Sequence, residues 1–126
     1  MTNLNEISQQ IYEANKLKGF DVKKENIGQT LCLIHSEISE ALEAIRKNRH
    51  ADLNTATING TDKLESDSIF KAVFSQYIKD TFEDEIADTF IRLMDLVGAL
   101  EIDIDKHIEL KRRFNSLREY KHGKAF

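Results

Sequence analysis

The sequence contains no proline, has a single cysteine and carries no apolar run long enough to cross a membrane. Because proline is the strongest helix breaker, its absence favours long, uninterrupted helices. The lone Cys32 excludes a disulfide within the chain and suits a reducing compartment. The first ten residues are polar and lack the apolar core of a secretory signal. We therefore predict a helix-rich protein of the cytoplasm.

Positive charge is outnumbered by negative charge. Eighteen lysines and arginines stand against 22 aspartates and glutamates, a formal net charge of −4. This balance argues against broad binding of nucleic acid through its phosphates. With 40% hydrophobic and 32% charged residues in 126, the composition is that of a globular protein rather than a disordered one. We predict one domain over residues 1–126.

Apolar residues recur at helical spacing along most of the chain, which predicts an all-α bundle of four to five helices. Asp103 is a predicted N-cap, and Asn59-Gly60-Thr61-Asp62 marks a turn inside a predicted surface loop from His50 to about Glu65. The predicted helices cover about 5–17, 26 or 27–48, 66 or 67–78, 81–100 and 104–115. The apolar arc of the helix over 81–100 is too wide for one neighbour, so we expect homo-oligomerisation to complete the core.

Two acidic steps, Glu37-Ile38-Ser39-Glu40 and Glu85-Ile86-Ala87-Asp88, each place two carboxylates three residues apart in a predicted helix. Such pairs share a helix face, where like charges repel by roughly a few tenths of a kcal/mol. Both pairs have the same offset from the apolar stripe of their helix, and Glu37 lies nearest to its stripe. If the helices pack antiparallel, all four acids meet at one edge of the bundle. A solvated acidic flank is the ordinary alternative for either helix alone.

Four converging carboxylates predict a site for a hard cation. Oxygen ligands favour Mg²⁺ or Mn²⁺ over zinc, and Mg²⁺ is commonly shared between carboxylates and substrate phosphates. A di-iron bundle would use Glu-x-x-His steps, and neither acidic step has that histidine. His35 lies off the Glu37 face, and Cys32 alone supports no nucleophile. A Walker-type phosphate loop is absent from the sequence.

With these motifs the sequence resembles the all-α nucleoside triphosphate pyrophosphohydrolases of the MazG-like superfamily. Residues 34–45 and 82–93 are similar to its two metal-binding helices. Residues 111–123 are similar to the segment of lysine, asparagine and arginine that closes many members. One departure is the wide separation of Glu40 from Glu85, caused by an insertion over about 50–79. The insertion leaves substrate choice open.

The resemblance implies Mg²⁺-dependent hydrolysis of a nucleoside triphosphate, often a deoxynucleotide or a modified one, to the monophosphate and pyrophosphate. Members assemble from two or more subunits, which implies a homodimer or homotetramer. The implied Mg²⁺ ligands, with Mn²⁺ as a possible substitute, are Glu37, Glu40, Glu85 and Asp88. The candidates for orienting or deprotonating the attacking water are Glu37, Glu40 and Glu43. The implied substrate-binding residues are Lys111, Asn115, Arg118, Tyr120 (which would stack on the base), Lys121 and Lys124.

Two other functions remain open at this level. In the first, the acids are solvated and the broad apolar arc makes the protein a non-enzymatic helical interaction module. In the second, the metal site is kept but turnover is lost, which would leave a nucleotide sensor.

Overall fold

A computed structural model describes residues 3–61 and 66–125, apart from the side chains of residues 122 and 123. Over these residues the chain forms six α-helices and no strand, which confirms the predicted all-α class. The α-helices are α1 (Leu4–Leu17), α2 (Ile27–Arg46), α3 (Leu53–Ala56), α4 (Asp67–Tyr77), α5 (Phe82–Ala99) and α6 (Ile104–Ser116). Short 3₁₀ turns occupy Lys24–Asn26 and Tyr120–Gly123, and a π turn occupies Thr57–Thr61.

The prediction of an irregular loop over residues 50–65 is wrong for residues 53–61, which form α3 and the π turn. Asp52 starts α3, because its carboxylate accepts the Thr55 N–H at 3.0 Å, and its own N–H donates to the Tyr77 carbonyl at 3.0 Å. Gly60 has φ of +134°, a value that glycine adopts readily and other residues rarely do, in agreement with the predicted turn. Asp62 and the rest of residues 62–65 lie outside the described part of the chain.

The chain divides into two compact units: residues 1–27 with 94–126, and residues 28–93. In the first unit, α1 packs against α6 and their N-termini cap each other. Asp105 accepts the Leu4 and Asn5 N–H groups at 3.2 and 3.1 Å, and the Asn5 side-chain oxygen accepts the Asp105 N–H at 3.3 Å. Asp103 caps α6 through the Lys106 N–H, which confirms the predicted N-cap.

Helices α1 and α5 approach closely at Gly98 within the first unit. A β-carbon built at Gly98 would lie 2.4 Å from the carbonyl oxygen of Ser8 and 2.8 Å from the Tyr12 β-carbon. Three residues earlier on α5, the buried Asp95 accepts a hydrogen bond from the Asn15 side-chain amide at 3.0 Å. This contact between helices therefore depends on the absence of a side chain at one position.

In the second unit, α2 and α5 run antiparallel, since Arg92 contacts Glu37 while Phe82 bonds to Arg49. The buried row of α2 alternates steps of four and three residues, and Glu37 stands at its centre. The members of that row are Thr30, Ile34, Glu37, Ala41 and Ala44. Glu37, which the sequence places nearest to the apolar stripe of its helix, is buried. The predicted stripe also includes Leu31, Ile38, Leu42 and Ile45, and these larger residues are 43–50% exposed.

Within the described ranges no helix combines the length and the apolar character needed to cross a membrane. The predicted homo-oligomer, which would cover exposed apolar residues, stays a prediction.

Replacing Gly98 by alanine is expected to destabilise the fold by about 1–3 kcal/mol, because the new methyl group would force the α1 backbone to shift. Gly28→Ala is the matched control, since a β-carbon there meets no atom within 4 Å. The control should be neutral or stabilising by up to about 1 kcal/mol through helix propensity. Urea unfolding followed by circular dichroism measures both. Equal effects of the two variants would contradict the close approach.

Candidate metal centre

Three of the four carboxylates in the acidic steps come together in the second unit. Glu37 and Glu40 lie one turn apart on α2, and Glu85 lies in the first turn of α5. One oxygen from each of the three lies within 4.8 Å of the others. Glu37 and Glu85 are only 7% and 6% exposed, whereas Glu40 is exposed to solvent. The cluster is therefore an acidic site with two buried carboxylates and one that is exposed to solvent.

Glu85 is the member whose charge is least well accommodated. Its Oε2 atom is buried and accepts no hydrogen bond from the described residues. Burial, followed by the charge of Glu40 and the closeness of Glu37, raises the pKa of Glu85 from 4.5 to about 7. An unpartnered carboxylate oxygen in such a place is an available ligand atom.

Glu37 is held as an anion by a neighbouring arginine. The Nε atom of Arg92 donates to Oε1 of Glu37 at 2.6 Å, and both side chains are largely shielded from solvent. Burial by itself raises the pKa of Glu37, but the hydrogen bond from Arg92 and the contacts with Glu40 and Glu85 outweigh it. The pKa of Glu37 therefore lies below its ordinary value. Arg92 fixes both the charge and the position of this carboxylate.

Asp88, the fourth predicted ligand, lies outside the three-residue group among the described residues. It is half-buried one turn after Glu85. Burial, and then the charges of Asp84, Glu37 and Glu40, raise the pKa of Asp88 above its ordinary value, while Arg92 opposes them. Asp88 thus shares the field of the cluster, and its role as a ligand stays a prediction.

A cavity of about 250 Å³ opens beside the cluster, with space for several water molecules. Its lining residues are Glu40, Glu43, Arg49, Asp80 and Glu85. Glu43, a predicted catalytic residue, forms an ion pair with Lys47 at 3.2 Å. The sequence motifs did not identify Arg49 or Asp80, because neither belongs to an acidic step. Asp80 has φ of +62°, a left-handed conformation that aspartate tolerates better than most residues.

The predicted substrate-binding residues of the C-terminal segment all lie in the first unit. Lys111 and Arg118 lie 5.2 and 5.6 Å from the centre of the Phe114 ring. Asn115 is half-buried, and its side-chain oxygen has no hydrogen-bond partner in the described part of the chain. The other members of the set are exposed, namely Tyr120, Lys121 and Lys124. Their contacts with substrate stay predictions.

The donor set of the cluster fits a hard cation. Mg²⁺ takes oxygen ligands at about 2.0–2.1 Å, so two oxygens on opposite sides of the ion lie about 4.2 Å apart. The three carboxylate oxygens lie within 4.8 Å of one another, which is of the same order as that separation. Neither nitrogen nor sulfur ligands belong to the group, which disfavours zinc.

Comparison with protein-family models, with curated proteins and with solved structures finds no match to this chain. The resemblance drawn from the acidic steps and the C-terminal segment therefore stays a prediction. The buried carboxylates and the cavity beside them are the physical basis for assigning a function.

Replacing Glu85 by glutamine is expected to stabilise the metal-free protein at about pH 8. Folding raises the pKa of the Glu85 carboxyl, so the folded state holds its proton more tightly than the unfolded state does. Ionisation of Glu85 therefore lowers the free energy of unfolding as pH rises from 4.5 to about 7. The gain is at most about 3.5 kcal/mol, at about 1.4 kcal/mol per pKa unit, and it should vanish at about pH 4. Urea unfolding at both pH values in EDTA measures it.

Glu13→Gln is the matched control, since Glu13 is an exposed glutamate within α1. Its effect on stability should stay within about 0.5 kcal/mol at both pH values. A Glu85→Gln variant that is less stable than the wild type at the higher pH would contradict the raised pKa.

Proposed function

We propose that this protein binds Mg²⁺ at Glu37, Glu40 and Glu85 and hydrolyses a nucleoside triphosphate to the monophosphate and pyrophosphate. The observation that carries the proposal is the buried, unpartnered oxygen of Glu85 within a cluster of three carboxylates. The cavity beside the cluster provides room for the phosphate chain.

The metal part of the proposal follows from electrostatics. Three carboxylates that converge around two buried positions repel one another, and only Glu37 has an arginine partner within the described ranges. A divalent cation would neutralise Glu40 and Glu85 and supply the partner that Glu85 Oε2 lacks. Mg²⁺ also prefers sites that combine a few carboxylates with substrate phosphates and water.

The substrate part of the proposal is supported by the resemblance to MazG-like pyrophosphohydrolases. When bound, Mg²⁺ supplies charge neutralisation of the phosphates and lowers the pKa of a coordinated water. The oxygen of the attacking water forms a bond to the α phosphorus. At the same time the bond between the α phosphorus and the oxygen that bridges it to the β phosphate breaks. The pyrophosphate then leaves and the water proton passes to a carboxylate.

The chain's own carboxylates divide this work according to their environment. Glu37 is a fixed anion whose first oxygen is occupied by Arg92, so it suits a ligand better than a base. Glu40 and Glu43 both line the cavity, where each can accept a proton from a water. The negative charge of Glu43 is partly balanced by its ion pair with Lys47. A phosphate bound in the cavity would lie beside Glu40 and Glu85, which both line it.

A second candidate, a non-enzymatic helical interaction module, is favoured by the exposed apolar row of α2. It predicts no stabilisation by Mg²⁺ with nucleotide. Ligands that bind only the folded state raise its stability, by about 2.7 kcal/mol at a hundredfold excess over the dissociation constant. A thermal melt with and without Mg²⁺ and nucleotide distinguishes this function from both enzyme and sensor, and turnover then separates enzyme from sensor.

The direct test is a pyrophosphate-release assay with each common and modified nucleoside triphosphate, in ribose and deoxyribose forms. We expect release from at least one substrate with Mg²⁺ and none after EDTA. Glu40→Gln and Glu85→Gln should each lower kcat/KM by about 100-fold or more, because each removes a charged ligand that acts in the transition state. Glu13→Gln should retain full activity.

Circular dichroism must show that both glutamine variants keep the helical content of the wild type. Release of no pyrophosphate from any substrate, or release that survives EDTA, would contradict the proposed function. Full activity in both variants would overturn the metal assignment.

A further inference from the structure

Arg49 lies three residues beyond the end of α2, and its backbone is fixed on both sides. Its N–H donates to the Ala44 carbonyl in the last part of α2 at 2.9 Å. Its carbonyl accepts the N–H of Phe82, the first residue of α5, at 2.9 Å. The residue is thus anchored between the two helices that carry the acidic cluster.

The two residues that follow strengthen this anchor. His50 Nδ1 lies 3.1 Å from a Glu83 carboxylate oxygen, and its ring meets the Phe82 ring edge-on at 6.1 Å. The Ala51 N–H donates to the other Glu83 oxygen at 2.7 Å. Residues 49–51 are therefore attached to the first turn of α5 by side-chain and backbone bonds together.

The side chain of Arg49 is uncommitted although it lines a cavity rich in carboxylates. Within residues 3–61 and 66–125, its guanidinium makes no hydrogen bond or ion pair. Two other cations of this unit are already engaged, Arg92 by Glu37 and Lys47 by Glu43. Among the residues that line the cavity, Arg49 is the one cation, and it is available for an incoming anion.

We propose that Arg49 binds a phosphate group of the triphosphate in this cavity. This inference rests on the proposed function, because the cluster must first hold a cation that draws the phosphate chain in. The guanidinium is always charged and presents paired N–H donors that match two phosphate oxygens. Without it the cavity lining is wholly acidic, namely Glu40, Glu43, Asp80 and Glu85, and would repel the part of the phosphate chain that the cation does not neutralise.

Arg49 is thus assigned the role of a substrate-binding residue whose backbone is held in place. An anchored backbone limits where the guanidinium can reach, so ordering it on the phosphate costs less entropy than ordering a side chain on a mobile loop. Its contribution should appear in the affinity for the phosphate chain itself, without a base or sugar.

Inorganic tripolyphosphate is therefore the probe, titrated calorimetrically into the full chain with saturating Mg²⁺. Arg49→Ala should weaken binding by about 10- to 100-fold, the range for a lost charge-assisted pair. Arg49→Lys, which keeps the charge but loses the paired donors, should weaken it by about 3- to 10-fold. Arg46→Ala, an arginine at the end of α2 outside the cavity lining, should change it less than about twofold.

A second titration with Mg²⁺ alone distinguishes phosphate binding by Arg49 from a purely structural role in the metal site. Arg49→Ala should bind Mg²⁺ as well as the wild type or more tightly, because the variant removes a repelling positive charge. Weaker Mg²⁺ binding would show that Arg49 only supports the fold of the site and would overturn the proposal.

The remaining outcomes separate this inference from the proposed function. Equal tripolyphosphate affinity in wild type and Arg49→Ala would overturn the role of Arg49 while leaving any measured hydrolysis intact. Arg49-dependent binding in a protein that hydrolyses no nucleotide would support the role of Arg49 and contradict the enzyme. Absence of tripolyphosphate binding by the wild type would overturn the role of Arg49, while the proposed function would still be decided by the release of pyrophosphate.

Discussion

The repulsion among three carboxylates is the constraint on which the second unit depends. Helices α2 and α5 bring Glu37, Glu40 and Glu85 together with two of them buried, an arrangement that opposes folding unless the charge is balanced. The protein balances it unevenly. Arg92 neutralises Glu37, while the raised pKa of Glu85 favours its protonated form in the metal-free state.

Two supports hold this arrangement along the contact between α2 and α5. The ion pair of Arg92 with Glu37 joins the helices at the middle of the buried row of α2, and the 49–51 segment is bonded to Phe82 and Glu83 at the start of α5. Together they keep the carboxylates close despite their repulsion, which is the preorganisation that an ion-binding site requires.

The first unit is held by different interactions. Asn5 and Asp105 cap the N-termini of α1 and α6 reciprocally, and Gly98 allows the α5 backbone to reach α1. These contacts provide hydrogen-bond partners for helix-end N–H groups and allow the helices to pack closely. Among the described residues of this unit there is no carboxylate cluster that could hold a metal ion. Among the described residues, the group of carboxylates close enough to hold a metal ion thus lies in the second unit.

Sequence periodicity predicted the long helices, and residue spacing predicted that acids from α2 and α5 meet. It missed α3, because four residues are too few to show a helical period, and that helix depends on the cap from Asp52. It also assigned Leu31, Ile38, Leu42 and Ile45 to the apolar stripe of α2, and these residues are exposed, because a wide apolar arc does not reveal which side is covered. Arg49 was out of reach, since its position depends on a backbone bond to Phe82, which lies more than 30 positions further along the chain. The separation of Asp88 from the cluster likewise depends on side-chain geometry that spacing leaves undetermined.

The central claim is that Glu37, Glu40 and Glu85 together hold a divalent cation. Crystals soaked in Mn²⁺, with an anomalous difference map calculated at a wavelength where manganese scatters, test it most directly. The account predicts one strong peak at about 2.0–2.3 Å from an oxygen of each of the three carboxylates. A map with no peak at the cluster, or with its strongest peak elsewhere on the protein, would contradict it.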